Sequence, residues 1–216
     1  MIYNFDQKTS IVNRYVAELR DVNVQGNRML FRNNLERIGE IIGYEISKDL
    51  RYKTAEVETP LGVAECQLPD QKVVIAGILR AGLPLHQGIL NIFDDADNAF
   101  VSAYRKHHKD GKFEISVNYV TCPPIDDAIL IIADPMLATG SSFDATIKAL
   151  EEYGKPDQIH IVTVIASTNG IQYIKRYYPE AYIWAGAIDE ELTAKSYIVP
   201  GLGDAGDLAF GNKLQE

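Results

Sequence analysis

The sequence predicts an α/β protein with a central, mostly parallel sheet flanked by helices. Short apolar runs of strand length recur from residue 72 onwards, and segments with apolar residues at helical spacing separate them. The 216 residues, 46% of them hydrophobic, hold no long Pro/Gly/Ser-rich linker, so one sizeable core and a single domain over 1–216 are expected.

Residues 10–50 are read as helical. Phe31, Leu35, Ile38, Ile42, Ile46 and Leu50 recur every three or four positions, the stripe of a long amphipathic helix facing core or a second subunit. Residues 54–57 and 63–66 flank Thr59-Pro60-Leu61-Gly62, where Pro and Gly suit a turn, so a hairpin outside the main sheet follows. The core, about 72–187, then alternates. Strands are expected over 73–79, 99–104, 128–133, 159–166 and 181–187, and helices over 83–92, from Phe143 to Leu150, and over 171–177. The Ile-rich run at 128–133 suits a strand covered on both faces. Residues 106–121 break the rhythm with a polar loop and an extended piece over 113–120, read as a mobile flap. From Ile188 to the end, Pro200, Gly201, Gly203, Gly206 and Gly211 predict mostly loop.

Composition excludes several classes of function. Twenty-one Lys and Arg against 30 Asp and Glu give a charge of −9 without a dense basic stripe, which disfavours nucleic acid as a partner while allowing a local cationic pocket. No apolar segment approaches the roughly 20 residues of a membrane span, and residues 1–10 lack the layout of a secretory signal. A soluble, cytoplasmic protein is expected. Cys66 and Cys122 lie far apart without metal-ligand spacing, so reduced thiols are expected rather than a disulfide or a zinc site. His107 and His108 are adjacent between lysines, an arrangement that opposes a metal, and His160 alternates with apolar neighbours as a structural imidazole would.

The most informative stretch joins the 128–133 strand to a helix through Asp134, Pro135, Met136, Leu137, Ala138, Thr139, Gly140, Ser141 and Ser142. Hydroxyls and consecutive backbone N–H groups at a helix N-terminus make an anion site. The helix dipole contributes roughly 0.3–2 kcal/mol, whereas each hydrogen bond to a charged group contributes roughly 1.5–3 kcal/mol, so directed donors dominate. A lone Thr-Gly-Ser-Ser also suits an ordinary capped helix. An acid at the strand end moves the balance towards a sugar phosphate, since open α/β sheets bind ligands beyond their strand carboxyl ends, where Asp134 can accept from ribose hydroxyls.

The run from Asp134 to Ser142 resembles the motif with which uracil phosphoribosyltransferases bind 5-phospho-α-D-ribose 1-diphosphate (PRPP), including a single acid followed by Pro. Ile78-Leu79-Arg80-Ala81-Gly82 resembles that family's diphosphate turn, Tyr104-Arg105 its second arginine, and residues 197–207 its uracil loop, in matching order over nearly the whole chain. The resemblance implies a phosphoribosyltransferase-like sheet with a flap hairpin and a small C-terminal hood over about 188–216. It implies PRPP contacts from Arg80, Arg105, Asp204 and residues 134–142, and uracil contacts from Ile198, Gly203, Asp204 and Ala205. Catalytic roles fall to Arg80, Arg105, Asp134 and Asp204, with Mg2+ held mainly through PRPP and water rather than by protein ligands. GTP as effector and a homodimer or homotetramer are further implications.

On residue chemistry alone, Arg80 also suits a surface position at a strand end, and residues 201–206 a Gly-rich terminal loop. Ser141 stands where the family commonly has a second Gly, and it is expected to open the helix rather than to need a positive φ. Glu191, Thr193, Ser196 and Leu208 also depart from the commoner residues. Rival readings are a transferase for another base, a pyrimidine-nucleotide sensor that binds RNA, and a PRPP-binding paralogue without turnover.

Overall fold

The computed structural model describes residues 1–107 and 113–213. An edge strand β1 (Ile2–Asn4) leads into helices α1 (Ile11–Arg20) and α2 (Arg28–Ser47). Ser10 and Asn13 close α1 with a reciprocal capping box, and the Asn27 side chain caps α2. Strands β2 (Tyr52–Thr59) and β3 (Gly62–Pro69) pair antiparallel as a sheet of their own. The core follows as β4 (Val73–Leu79), α3 (Gly82–Leu90), β5 (Asp97–His107), β6 (Phe113–Thr121), β7 (Ile129–Ala133), β8 (Met136–Leu137), α4 (Ser141–Leu150), β9 (Gln158–Ser167), α5 (Thr168–Tyr177) and β10 (Tyr182–Asp189). Two-residue strands β11 (Glu191–Leu192) and β12 (Ile198–Val199) and a short helix α6 (Ala205–Phe210) complete it.

The main sheet runs in the order β1, β10, β9, β7, β4, β5, β6, with β8 against β9. Every pair is parallel except β5 with β6, the hairpin expected as a flap. That hairpin begins earlier than the sequence predicts, because β5 stays paired to His107; residues 108–112 lie outside the described residues. The tail expected to be mostly loop also folds a short helix, α6, capped by Asp204, whose side chain accepts from the Asp207 amide.

Alternation along the strands explains the continuous apolar runs. Ile75, Ile131, Val162 and Trp184 face α2 and α3 with Phe31, Leu35, Ile38, Leu85 and Ile89, whereas Val74, Leu130, Ile132, Ile161 and Ile183 face α4 and α5 with Phe143, Ile147, Ile171 and Ile174. With both faces covered, the strand interiors are mostly apolar, and the polar His160 and Thr163 buried within β9 are each hydrogen-bonded. The α2 stripe from Phe31 to Ile46 is fully buried, so this face is core within the chain. Helices α2 and α3 meet at glycines: a Cβ on Gly88 would sit 1.9 Å from the Glu36 carbonyl oxygen, and one on Gly39 2.4 Å from that of Leu85.

Candidate active site

Because β4, β7, β9 and β10 run the same way, their carboxyl ends open along one edge. There a cavity of about 980 Å3 is lined by Arg80, Asp134, Thr139, Gly140, Ile198 and Asp204 among others. It lies where ligands collect in open α/β sheets.

The loop expected to bind phosphate begins where β7 ends. The Asp134 amide continues the ladder to the Val162 carbonyl at 3.1 Å, and its carboxylate turns back to accept from the Met136 amide at 3.1 Å. Gly140 takes the left-handed conformation, φ +86°, and Ser141 opens α4 as the sequence predicts. With glycine at the N-cap, the cap residue offers no side chain to the helix end; the Ser141 amide donates to Thr139 Oγ1 at 3.3 Å, and Gly140, Ser142 and Phe143 line the cavity. Amide donors of a first helical turn therefore border the space where an anion would lie. The loop is braced from behind: Ser167 Oγ donates to the Ala138 carbonyl, and a Cβ on Gly170 would sit 2.6 Å from that same oxygen. Asp144, one turn into α4, accepts from Lys148 at 2.8 Å, Tyr178 at 2.7 Å and Tyr173 at 3.2 Å. Burial works to raise its carboxyl, but these bonds hold it below the usual range, which ties α4 to α5 beneath the loop.

The turn expected to bind diphosphate approaches from β4. A Cβ on Gly82 would lie 2.4 Å from the Ala133 carbonyl oxygen, so only glycine lets α3 start this close to β7. The Leu79–Arg80 peptide is cis. The Arg80 guanidinium donates to Asp207 Oδ1 at 3.3 Å and to the Gly211 carbonyl at 3.2 Å.

The glycine loop closes the third side. Gly201 and Gly203 have φ of +56° and +99°, and the Val199–Pro200 peptide is cis. Asp204 caps α6 by accepting from the Asp207 amide at 3.0 Å, while its other oxygen lies 3.7 Å from Lys213 Nζ. Ser196 takes φ +60° in a tight rim loop where the Thr193 and Tyr197 amides bind back on each other's residues at 2.8 and 3.1 Å. Glu191 pairs with Val199, and Leu208 packs on the core, so the departures lie at the rim and behind the wall.

Of the residues singled out in the sequence, Arg80, Asp134, Met136, Ala138, Thr139, Gly140, Ser142, Ile198, Gly203, Asp204 and Ala205 border this one cavity. Leu137 does not: its side chain is fully buried in the core beneath the loop. The Pro135 carbonyl accepts from Val164 and Ile165, and the Ser141 hydroxyl bonds Thr139 Oγ1 at 2.9 Å, so these two shape the loop from within. The backbone of Arg105 lies in β5; its side chain falls outside the described residues. The structure adds Lys213, Lys195 and Ser102 to the lining. No periodicity marks them, although a basic residue just past an acidic Gly-rich loop is a readable hint for Lys213.

A mostly parallel sheet whose central strand β7 runs into a helix start at Gly140, with the turn after β4 and the C-terminal loops over the same edge, is the architecture of the phosphoribosyltransferase class. A solved phosphoribosyltransferase from Corynebacterium diphtheriae shares the fold, with a TM-score of 0.52 at 17% identity over 83% of this chain and 96% of that one. The family model for uracil phosphoribosyltransferase matches residues 7–212, and the chain belongs to that family. It is 54% identical to a uracil phosphoribosyltransferase of Porphyromonas gingivalis over 95% of each chain. A solved protein from Aquifex aeolicus superposes over 100% of both chains with a TM-score of 0.88 at 28% identity.

Proposed function

We propose that this chain transfers a phosphoribosyl group from PRPP to N1 of uracil, giving UMP and diphosphate. The observation that carries this reading, beside family membership, is the convergence of the phosphate loop, the diphosphate turn and the glycine loop on one cavity. The amides and hydroxyls of 138–142 would hold the 5′-phosphate. Asp134 would orient the ribose and favour positive charge on its anomeric carbon as the bond to diphosphate breaks. Arg80 and Arg105 would favour the departing anion, and the N1 proton is released as the new C–N bond forms. Backbone groups of Ile198, Gly203 and Ala205 would match the donor and acceptors of the uracil edge.

Magnesium fits the acidic groups at the mouth. Asp134 and Asp204 line the cavity, and no cluster of three or more His, Cys, Asp or Glu suited to a metal is found among the described residues. A hard cation that keeps its waters would therefore be held mainly by the diphosphate, with these carboxylates beside it, and would neutralise the leaving group.

We also propose self-association through the β2–β3 hairpin, which exposes Val57, Leu61, Val63 and Leu68 on a separate sheet. Light scattering on the full chain tests this, with a monomer as the adverse result.

The deciding assay is UMP formation from uracil, PRPP and Mg2+, with and without GTP, beside a panel of other bases. Absence of UMP, or preference for another base, overturns the reading; an unchanged rate with GTP removes the effector expectation alone.

A further inference from the structure

We infer that Arg20 and Asp189, neither of which lines the cavity, are positioning residues that fix the nucleobase wall through Gly201. Asp189 ends β10 and is buried. Arg20, the last residue of α1, grips it with both prongs: Nη1 to Oδ2 at 2.7 Å and Nη2 to Oδ1 at 2.8 Å. The same pair binds both polar groups of Gly201, since Arg20 Nη1 donates to its carbonyl at 2.9 Å and its amide donates to Asp189 Oδ2 at 2.8 Å. An acceptor and a donor held by a planar fork set the orientation of the peptide planes on either side of Gly201. Glycine is needed there, because φ is +56° and a Cβ would lie 2.2 Å from the Ile198 carbonyl oxygen.

A second tie lies one residue on. Gln25 Nε2 donates to the Leu202 carbonyl at 3.3 Å and to the Leu19 and Arg20 carbonyls at 3.0 Å each. The loop between Ile198 and Gly203 thus hangs from the end of α1, whereas the phosphate loop is braced by Ser167 and α5. Asp189 lies beside Ser167 in the β10–β9 register and its carbonyl accepts from Thr168 Oγ1 at 3.4 Å, but among the described residues the Arg20 guanidinium bonds only Asp189 and Gly201, so loss of that side chain should reach the base before it reaches PRPP.

The inference rests on the proposed reading of residues 198–205 as the uracil wall, and the test separates the two. Steady-state kinetics with uracil and PRPP varied in turn are run on Arg20→Met, Arg20→Lys, Asp189→Asn and Gly203→Ala. Arg20→Met is expected to raise KM for uracil at least tenfold while KM for PRPP stays within about twofold, and Arg20→Lys, which restores one prong, to recover part of the loss. Asp189→Asn, similar in shape, is expected to fall between them. Equal shifts in both KM values, or none for uracil, overturn the positioning role. Should Arg20→Met fail to fold, Arg20→Lys and Asp189→Asn carry the same split. If Gly203→Ala leaves KM for uracil unmoved, the wall reading itself fails.

Discussion

The Arg80 guanidinium donates to the Asp207 carboxylate at 3.3 Å, which joins the turn after β4 to the first turn of α6 across the cavity mouth. Both side chains are about a third or more exposed, 41% and 32%, so the pair adds little stability and can yield to a stronger anion. Arg80→Ala is expected to lower kcat/KM for PRPP by roughly 10–150-fold, the equivalent of one charge-assisted hydrogen bond of roughly 1.5–3 kcal/mol. A thermal melt should move little. Unchanged PRPP kinetics would remove Arg80 from the diphosphate site.

Arg105 lies on the hairpin beside the cavity and is proposed to stabilise the departing diphosphate. Arg105→Ala should lower kcat more than it weakens uracil binding. Turnover equal to that of the parent chain in single-turnover kinetics would rule the role out.

Asp204 both caps α6 and lines the cavity. Asp204→Asn keeps an oxygen for the cap, so the fold should be retained while PRPP use weakens at least several-fold. Circular dichroism with PRPP titration separates the two, and normal PRPP kinetics in a folded variant would contradict the assignment.

Gly88 packs without a Cβ on the Glu36 carbonyl. Gly88→Ala would force α3 away from α2 and is expected to cost about 1–3 kcal/mol or more in denaturant unfolding. A loss below about half a kcal/mol would show that the helices can part freely.

Burial pushes the His160 imidazole from its ordinary 6.5 down to about 4. Its Nδ1 accepts from Trp184 Nε1 at 3.1 Å, and its Nε2 lies 3.0 Å from Gln158 Oε1, so the neutral ring with its proton on Nε2 satisfies both neighbours. A second ring proton would face the Trp184 N–H. The unfolded chain takes up this proton near 6.5 and the folded chain only near 4. The stabilisation is therefore complete above 6.5 and is lost as pH falls between these values, on the order of 3 kcal/mol in all. Melts followed by the fluorescence of Trp184, the single tryptophan, should show this slope, and His160→Gln should flatten it. An equal slope in the variant would place the titration elsewhere.

Much of the fold can be read from neighbours in the chain. Val73–Leu79 and Ile129–Ala133 are apolar throughout because both sheet faces are covered, and the α2 stripe repeats because one helix face is. Strand β1 escapes such reading: three residues are too few for a period, and only its pairing with β10 makes it a strand. At the site, the strand, acid and helix start of 134–142 were legible because they are contiguous, yet the apolar Leu137 faces the core, and which side a loop residue faces depends on the sheet behind it.

The sequence by itself determined the alternating elements, the two-sided core and the chemistry of each loop, because periodicity and turn residues act over a few positions. Tertiary structure alone decided that Gly82 touches Ala133, that Arg80 reaches Asp207, and that Arg20 holds Asp189 and Gly201. Such contacts join residues far apart in the chain, and their partners are chosen by strand order and helix crossing, which no local pattern encodes.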